Sequence, residues 1–392
     1  MKANNNSPAI RFAGFTAPWE RRKLKDYLVR YDNLRIPVSS SKRVPGSTPY
    51  YGANGIQDYV EGYTHDGQFI LVAEDGANDL KNYPVQYVFG KVWVNNHAHV
   101  LQAIESIADN LFFKYSISQT DIEPFLVGGG RAKLNAETMM NIETSAPTKA
   151  EQVSIGLMLG RLDNLITYHQ RKYEKLVNLK KAMLDKMFPK NGELVPEVRF
   201  AGFSGNWERR ELGEICSEIT RRDPYSQATV MMISAASGFI EQSVKYAFNN
   251  AGSSLTGYTL LKRGELAYNH GASKERKYGS CFSLNVDEAR VPFVYHCFDV
   301  GDNNPSFVAT CLNNDRIDIQ LRRLVSSSAR MDGLLNISFA QYKTIEIELP
   351  PIKEQEQIAM LIDKIDQLVK LYKQELGRLQ NIKKAFLEKM FV

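Results

Sequence analysis

The chain has 392 residues, 43% of them hydrophobic and 24% charged, with 49 Lys and Arg against 44 Asp and Glu for a net charge of +5. Such a composition has room for two or three globular domains and excludes a disordered or fibrous chain. A charge so near balance excludes attachment to nucleic acid by bulk attraction, so any such contact must come from local clusters of basic residues.

Residues 1–10 are polar and lack the apolar core of a signal peptide, and no window reaches the ~18 apolar residues of a membrane span, so a cytoplasmic protein is expected. A leader follows at residues 8–24, with Arg11-Phe12-Ala13-Gly14-Phe15 and then Trp19-Glu20-Arg21-Arg22. The insert behind it, residues 25–146, reads as mixed α/β, with β-rich runs at 69–73 and 87–94 between Gly, Asn and Asp turns and a closing extended piece at 141–144. Its loops carry Thr48, Tyr50, Tyr51 and Asn54, then Asn78 and Lys81, then Asn95 and His97, with Arg131 behind a run of glycines. Such short polar groups suit base edges or phosphates, and they equally suit ordinary turns. His97 and His99 would share one face of a strand, but no third metal ligand stands near them in sequence.

From residue 151 to 188, bulky residues recur every seven positions at Ile155, Leu162, His169, Leu176 and Met183, with Met158, Leu165 and Leu179 between them. This is the spacing of a long amphipathic helix with a coiled-coil seam, preceded by Pro147, opened by Glu151 and closed by lysines and Pro189. A turn-rich joint at 189–196 leads to a second leader, residues 196–212, which repeats the first as Arg199-Phe200-Ala201-Gly202-Phe203 and Trp207-Glu208-Arg209-Arg210.

The second insert, residues 213–349, hardly resembles the first, although it too ends in an extended piece, 344–349. That shared ending suggests one fold with diverged loops. Its basic and aromatic residues are denser: Arg221-Arg222, then Asn269, His270, Ser273, Lys274, Arg276, Lys277 and Tyr278, then Arg322, Arg323 and Arg330. These form a candidate contact surface for phosphates and bases, with a solvated charged loop as the plain alternative. A second long helix repeats the first, with Ile358, Ile365, Tyr372, Leu379 and Phe386 on the central line and Leu361, Leu368 and Ile382 beside it. Its cheapest partner is the first helix, run antiparallel, in which case Lys172 and Glu375 either meet in the seam or are both solvated.

The expected fold is therefore α+β and pseudo-twofold: two α/β inserts separated by two long helices that form an intramolecular antiparallel coiled coil. The pieces divide at 1–146, 147–190, 191–349 and 350–392, and the end of the second helix lies where the first leader would naturally continue. At ~1.5 Å per residue, a helix of about 38 residues spans roughly 57 Å. The four cysteines, Cys216, Cys281, Cys297 and Cys311, lie in the second half with no CxxC pair, which points to buried thiols and not to a metal centre or disulfide framework. Residues 128–131 have neither the spacing nor the lysine of a phosphate-binding loop, and the Asn/Asp-Pro-Pro-aromatic motif of amino-methyltransferases is missing. No catalytic, cofactor-binding or metal residue is assigned.

The double Trp-Glu-x-Arg leader, the Pro350-Pro351-Ile352-Lys353-Glu354-Gln355 run and the Lys383-Lys384-Ala385-Phe386-Leu387-Glu388-Lys389-Met390-Phe391 ending resemble the specificity subunit of type I restriction-modification enzymes over essentially the whole chain. The resemblance implies a noncatalytic guide for double-stranded DNA. Each insert would be a target recognition domain for one half of an asymmetric split site. The helices would space the domains and dock two methyltransferase subunits, with restriction/translocase subunits completing the complex. S-adenosylmethionine, ATP and Mg2+ would reside on those partners. Two other readings stay open: a DNA-binding coiled-coil scaffold or regulator working without a methyltransferase, and a nuclease with a diverged site.

Overall fold

The computed structural model describes residues 7–129, 132–190, 192–245, 252–325 and 335–392. The chain divides into two compact units, one built from residues up to Lys172 together with Tyr372–Val392, the other from Tyr173–Leu371. Each unit thus takes one leader, one insert, the first part of one long helix and the last part of the other.

In the first unit the leader strand Glu20–Lys23 pairs antiparallel with Glu143–Ala146, and Leu24 N–H continues the ladder to the Ile142 carbonyl at 2.9 Å. The insert forms a six-stranded sheet in the order Leu28–Arg30, Ala98–Ala103, His65–Ala73, Val85–Val94, Pro45–Gly52, Gly55–Val60. All neighbours are antiparallel except the pair Pro45–Gly52 and Val85–Val94. The run Phe69-Ile70-Leu71-Val72-Ala73 is wholly buried because both faces of this central strand are covered. Helix Asn110–Gln119 starts at Asp109, whose carboxylate accepts from Phe112 N–H at 2.8 Å, and it buries Phe112, Phe113, Tyr115 and Ile117.

The second unit repeats the frame. Glu208–Glu211 pairs with Glu346–Leu349, and Leu212 N–H reaches the Ile345 carbonyl at 2.8 Å. Its four-stranded sheet runs Ser217–Glu218, His296–Asp299, Leu266–Asn269, Ser280–Ser283, the order of the first four strands of the other sheet. Helix Pro305–Leu312 is capped by Asn304, which accepts from Phe307 N–H at 3.0 Å. The inserts therefore share a four-stranded core with a helix behind it. They differ in what is added: the hairpin of residues 45–60 in the first unit, and the pairs Met231–Ser234 with Gly238–Glu241 and Thr259–Lys262 with Glu288–Val291 in the second.

The same contacts tie leader, insert and helices in both units. Arg11 grips Glu151 through two hydrogen bonds of 2.8 and 2.6 Å, and Arg199 grips Glu354 through two of the same lengths. Gln152 donates to the Pro147 carbonyl and accepts from Asp109 N–H, while Gln355 donates to the Pro350 carbonyl and accepts from Asn304 N–H. Trp19 and Phe112 meet Phe391, and Trp207 and Phe307 meet Phe188, with ring centroids 5.4–6.2 Å apart. Each leader thus docks on the last turn of the helix that belongs to the other insert. Ile10 N–H donates to the Lys389 carbonyl and Val198 N–H to the Lys186 carbonyl, both at 2.9 Å. The expected continuation of the second helix into the first leader is present as a contact.

The long helices are Lys149–Lys186 and Ile352–Met390. Within the first unit, Asp163 meets Lys383 at 2.5 Å and the His169 ring lies 5.5 Å from that of Tyr372. Within the second, Lys180 meets Asp366 at 2.6 Å. One residue number rises as the other falls, so the pairing is antiparallel. The central line is as expected: Ile155, Ile358 and Ile365 are buried, and Leu162, Leu176 and Leu379 are partly buried. Its flank needs correcting. Leu165, Leu179 and Leu368 are more than 40% exposed and Ile382 is only partly buried, while Leu159 and Ile362 are buried and Ile166, Tyr173, Val369 and Leu376 partly so.

The companion line therefore sits four residues after each central residue, not three. Both flanks carry apolar side chains and both carry charges, Lys172 and Glu375 on the three-residue flank and the ion-paired Lys180 and Lys383 on the four-residue one. The first two lie off the seam beside neighbours on their own helices, Lys172 with its ammonium 5.5 Å from the Tyr168 ring and Glu375 3.9 Å from Arg378. At Gly156 the insert helix comes so close that a Cβ would stand 2.7–2.9 Å from Asp109, Leu111 and Phe112, so any side chain there would force the two helices apart.

Candidate nucleic-acid interface

In the first unit, loops far apart in sequence converge at one end of the sheet. The Asn54 side chain, in the turn between Pro45–Gly52 and Gly55–Val60, donates to the Gly76 carbonyl and accepts from Asn78 N–H, both at 2.9 Å. Asp75 in that second loop meets His97 Nδ1 at 2.5 Å, and Asn95 accepts from His97 N–H while donating to Gln57 at 3.4 Å. Asn54, Asn78, Asn95 and His97 are thus brought together, with the exposed Gln57 and the half-buried Gln86 beside Gly55 as members that sequence reasoning missed. Lys81 is exposed in the loop of Asn78.

Other residues of this set have structural work. Tyr50 is 1% exposed, and its hydroxyl both accepts from and donates to the Val38 backbone under the Arg43 guanidinium. Thr48 and Asn95 are buried, and Tyr51 packs on the Phe69 and Val94 cluster. The Tyr50 hydroxyl is thereby closed onto the backbone. Arg131 lies outside the described residues.

Asp32, Glu74 and His99 offer ligand atoms within 4.8 Å of one another, yet cations already hold them. Arg35 and Lys133 meet Glu74 at 2.5 and 2.8 Å, and His99 meets Asp32 at 2.7 Å and the Leu134 carbonyl at 2.8 Å. Burial would raise both carboxyls. Hydrogen bonds from His99 and Val100 to Asp32, and from Lys133 and Arg35 to Glu74, outweigh it and hold both below the usual carboxylate range. This cluster is a brace under the loops, and its chemistry does not suit a metal ion.

In the second unit the basic residues are partly spent on internal pairs. Arg221 is held bidentate by Glu265 at 2.8 and 3.1 Å, and Arg276 by Asp318 at 2.7 Å. His270 is buried between the Leu335 and Val294 carbonyls, Asn269 accepts from Gly271 N–H, and Tyr278 packs on the core while its carbonyl accepts from Tyr268. Ser273 accepts from Arg276 N–H and closes a tight turn whose exposed tip is Lys274, with Lys277 exposed one residue beyond Arg276. Arg222, Arg322 and Arg323 are exposed as well, and Arg330 lies outside the described residues. The cysteines are free thiols; burial pushes Cys297 up to about 12 and Cys216 to about 11, and Cys281 and Cys311 are fully buried. Among the described residues no helix is long and apolar enough to cross a membrane.

Comparison with known proteins bears on what these surfaces serve. Residues 17–178 match the family model of the type I restriction modification DNA specificity domain. A Haemophilus influenzae protein described as a type I restriction enzyme specificity subunit is 28% identical over 375 residues, covering 86% of this chain and 85% of its own length. The specificity subunit of the Escherichia coli type I restriction enzyme EcoprrI is 24% identical over 117 residues, 30% of this chain and 28% of that one. The crystal structure of a type I restriction-modification S subunit from M. genitalium superimposes with a TM-score of 0.67 at 14% identity, covering 98% of this chain and 99% of the other, and shares its fold.

Proposed function

We propose that the chain is a specificity subunit of the type I restriction-modification kind, as its matches to that DNA specificity domain and to a described specificity subunit support, and that it guides such a complex to an asymmetric split DNA site, each unit reading one half. The observation that carries this reading is the repeated frame with unrepeated loops. The Arg–Glu grip, the Gln anchor and the Trp–Phe–Phe cluster recur in both units, whereas the amide-rich loop cluster of the first has no counterpart among the described residues of the second. A frame that holds two unlike surfaces in like manner suits two unlike half-sites.

In the first unit Asn54, Gln57, Asn78 and Gln86 offer amides able to pair with base edges, and Lys81 offers a phosphate contact. In the second, Arg222, Lys274, Lys277, Arg322 and Arg323 offer exposed cations. The long helices are the proposed spacer between the two readers, and two heads that read one face of B-DNA bind it about one turn, or roughly 10 base pairs, apart.

Catalysis is left to partners. Each unit carries one exposed apolar stripe on its long helix, Leu157, Leu165 and Tyr168 in the first and Met360, Leu368 and Leu371 in the second, at equivalent positions of the repeat. Two equal stripes fit two copies of one partner, the methyltransferase subunit, which brings S-adenosylmethionine. Restriction/translocase subunits bring ATP and Mg2+. The decisive experiment maps methylated adenines in the host genome with and without this gene. Loss of methylation at one split motif is expected; a methylome unchanged in a host whose methyltransferase is active overturns the proposal.

A further inference from the structure

The strand Gly55–Val60 carries one residue more than its partner can match. Tyr50 pairs with Asp58 and Tyr51 with Ile56, which leaves Gln57 as the extra residue of a β-bulge. In a regular strand Ile56 and Gln57 would face opposite sides, but a bulge re-aims its extra side chain, and both are exposed. The Gln57 amide folds back over Gly52 of the paired strand, where a Cβ would overlap its Nε2 and stand 2.7 Å from its Cδ.

A further contact fixes which way round this amide lies. Asn95 is 3% exposed, its N–H donates to the Tyr51 carbonyl at 3.0 Å, and its Oδ1 accepts from His97 N–H at 2.8 Å. A backbone N–H can only donate, so the Asn95 oxygen is committed and its nitrogen turns to Gln57 at 3.4 Å. That nitrogen requires an oxygen opposite it. Gln57 therefore still has its NH2 group and a second Oε1 lone pair to offer, in an orientation set by the backbone of His97. Asn54 is placed differently, since both ends of its amide are engaged by Gly76 and Asn78.

We infer that Gln57 reads an adenine of the first unit's half-site from the major groove, with Asn95 and Gly52 as positioning residues. The inference rests on the proposed reading of DNA by this unit. In that groove adenine alone sets an acceptor, N7, beside a donor, N6; guanine shows two acceptors, thymine an acceptor and a methyl, cytosine a donor. An amide with one donor and one acceptor to present matches adenine and leaves a group unmet against every other base.

The test compares the methylated motifs in the host for the unsubstituted chain and for Gln57→Ala, Gln57→Glu and Gly52→Ala. Gly52 lies outside the left-handed region, so alanine fits its backbone. The other half of the motif reports on folding, because an unfolded chain loses both halves. Expected is one position in one half that is strictly adenine with the unsubstituted chain and open to all four bases with Gln57→Ala. With Gln57→Glu it becomes cytosine, whose amino group donates to the new carboxylate. Gly52→Ala should relax the same position and no other. On duplexes varied at that position, the purified complex should prefer adenine by roughly 5- to 150-fold, and the Gln57→Ala complex by less than about twofold. That binding measurement also decides the case of a variant that no longer supports methylation. A motif that Gln57→Ala leaves equally strict at every position, or a preference for adenine that survives it, overturns the inference alone. A host in which the unsubstituted chain directs no split motif rejects the specificity-subunit reading, and the inference with it.

Discussion

The two units use one frame for opposite purposes at their surfaces. In the first, polar side chains are turned onto neighbouring loops, and three loops become one cluster through Asn54, Asn95 and the His97–Asp75 pair. In the second, Arg221 and Arg276 are turned inward onto Glu265 and Asp318, so the outward charge falls to lysines and arginines on a turn and a helix end. Equal anchoring with unequal surfaces teaches that the frame tolerates exchange of what it carries, provided that Arg, Gln, Trp and the insert helix cap are kept.

The hardest blow to that equality falls on the grips. Glu151→Ala and Glu354→Ala each leave a mostly buried arginine without its partner and should cost about 3–5 kcal/mol in their own unit. Urea unfolding followed separately in each unit checks this, and a large loss in one unit with little in the other breaks the comparison. Next is the aromatic cluster. Phe188→Ala should cost about 3–5 kcal/mol, and Phe391→Ala less because that ring is only partly buried.

Acid sharpens the contrast. In the first unit Asp32, Glu74 and Asp163 are lowered: burial pushes each up, but His99, Lys133 with Arg35, and Lys114 with Lys383 and Tyr115 outweigh it. Depressed carboxyls stabilise the folded state above their unfolded pKa of about 4 and lose that contribution as pH falls through their lower folded values. In the second unit burial raises Asp318 and Asp363, so their ionised forms oppose folding and acid relieves them, while Asp185 and Glu197, lowered by Lys190 and Lys186, are exposed pairs of little weight. Burial raises Asp109 in the first unit in the same way, a partial offset. Hydrogen exchange measured from pH 7 toward 3 should therefore show the first unit opening before the second.

Smaller effects belong to the surfaces. Asn54→Ala should cost about 1 kcal/mol locally and relax reading of a single half-site, measured by the range of methylated sequences. Lys274→Ala and Lys277→Ala should leave stability within about 0.5 kcal/mol and each reduce the salt dependence of DNA binding by about one unit of slope.

What was legible in the sequence was whatever repeats. The leaders, both helices and their central line could be read because the duplication displays each twice. The grips could not: Glu151 and Glu354 look like ordinary acids at a helix start, and Arg11 and Arg199 lie 140 and 155 residues away. The seam's flank was misplaced because apolar residues stand on both sides of the central line, and only packing decides which side is covered. The loops were least legible. Tyr50 and Asn54 sit a few residues apart in the same stretch, yet one hydroxyl is closed onto Val38 and the other side chain bridges loops at the surface. Composition cannot tell a polar group that faces solvent from one that faces a carbonyl.

The docking of each leader on the last turn of the other insert's helix sets an order on biosynthesis. The second unit is contiguous, and all its parts have been translated once residue 371 has emerged. Trp19, near the beginning, must wait for Met390 and Phe391 before its cluster can close. At roughly 5–20 residues per second that delay is on the order of 20 to 70 seconds. The domain that the ribosome makes first is the one that is finished last.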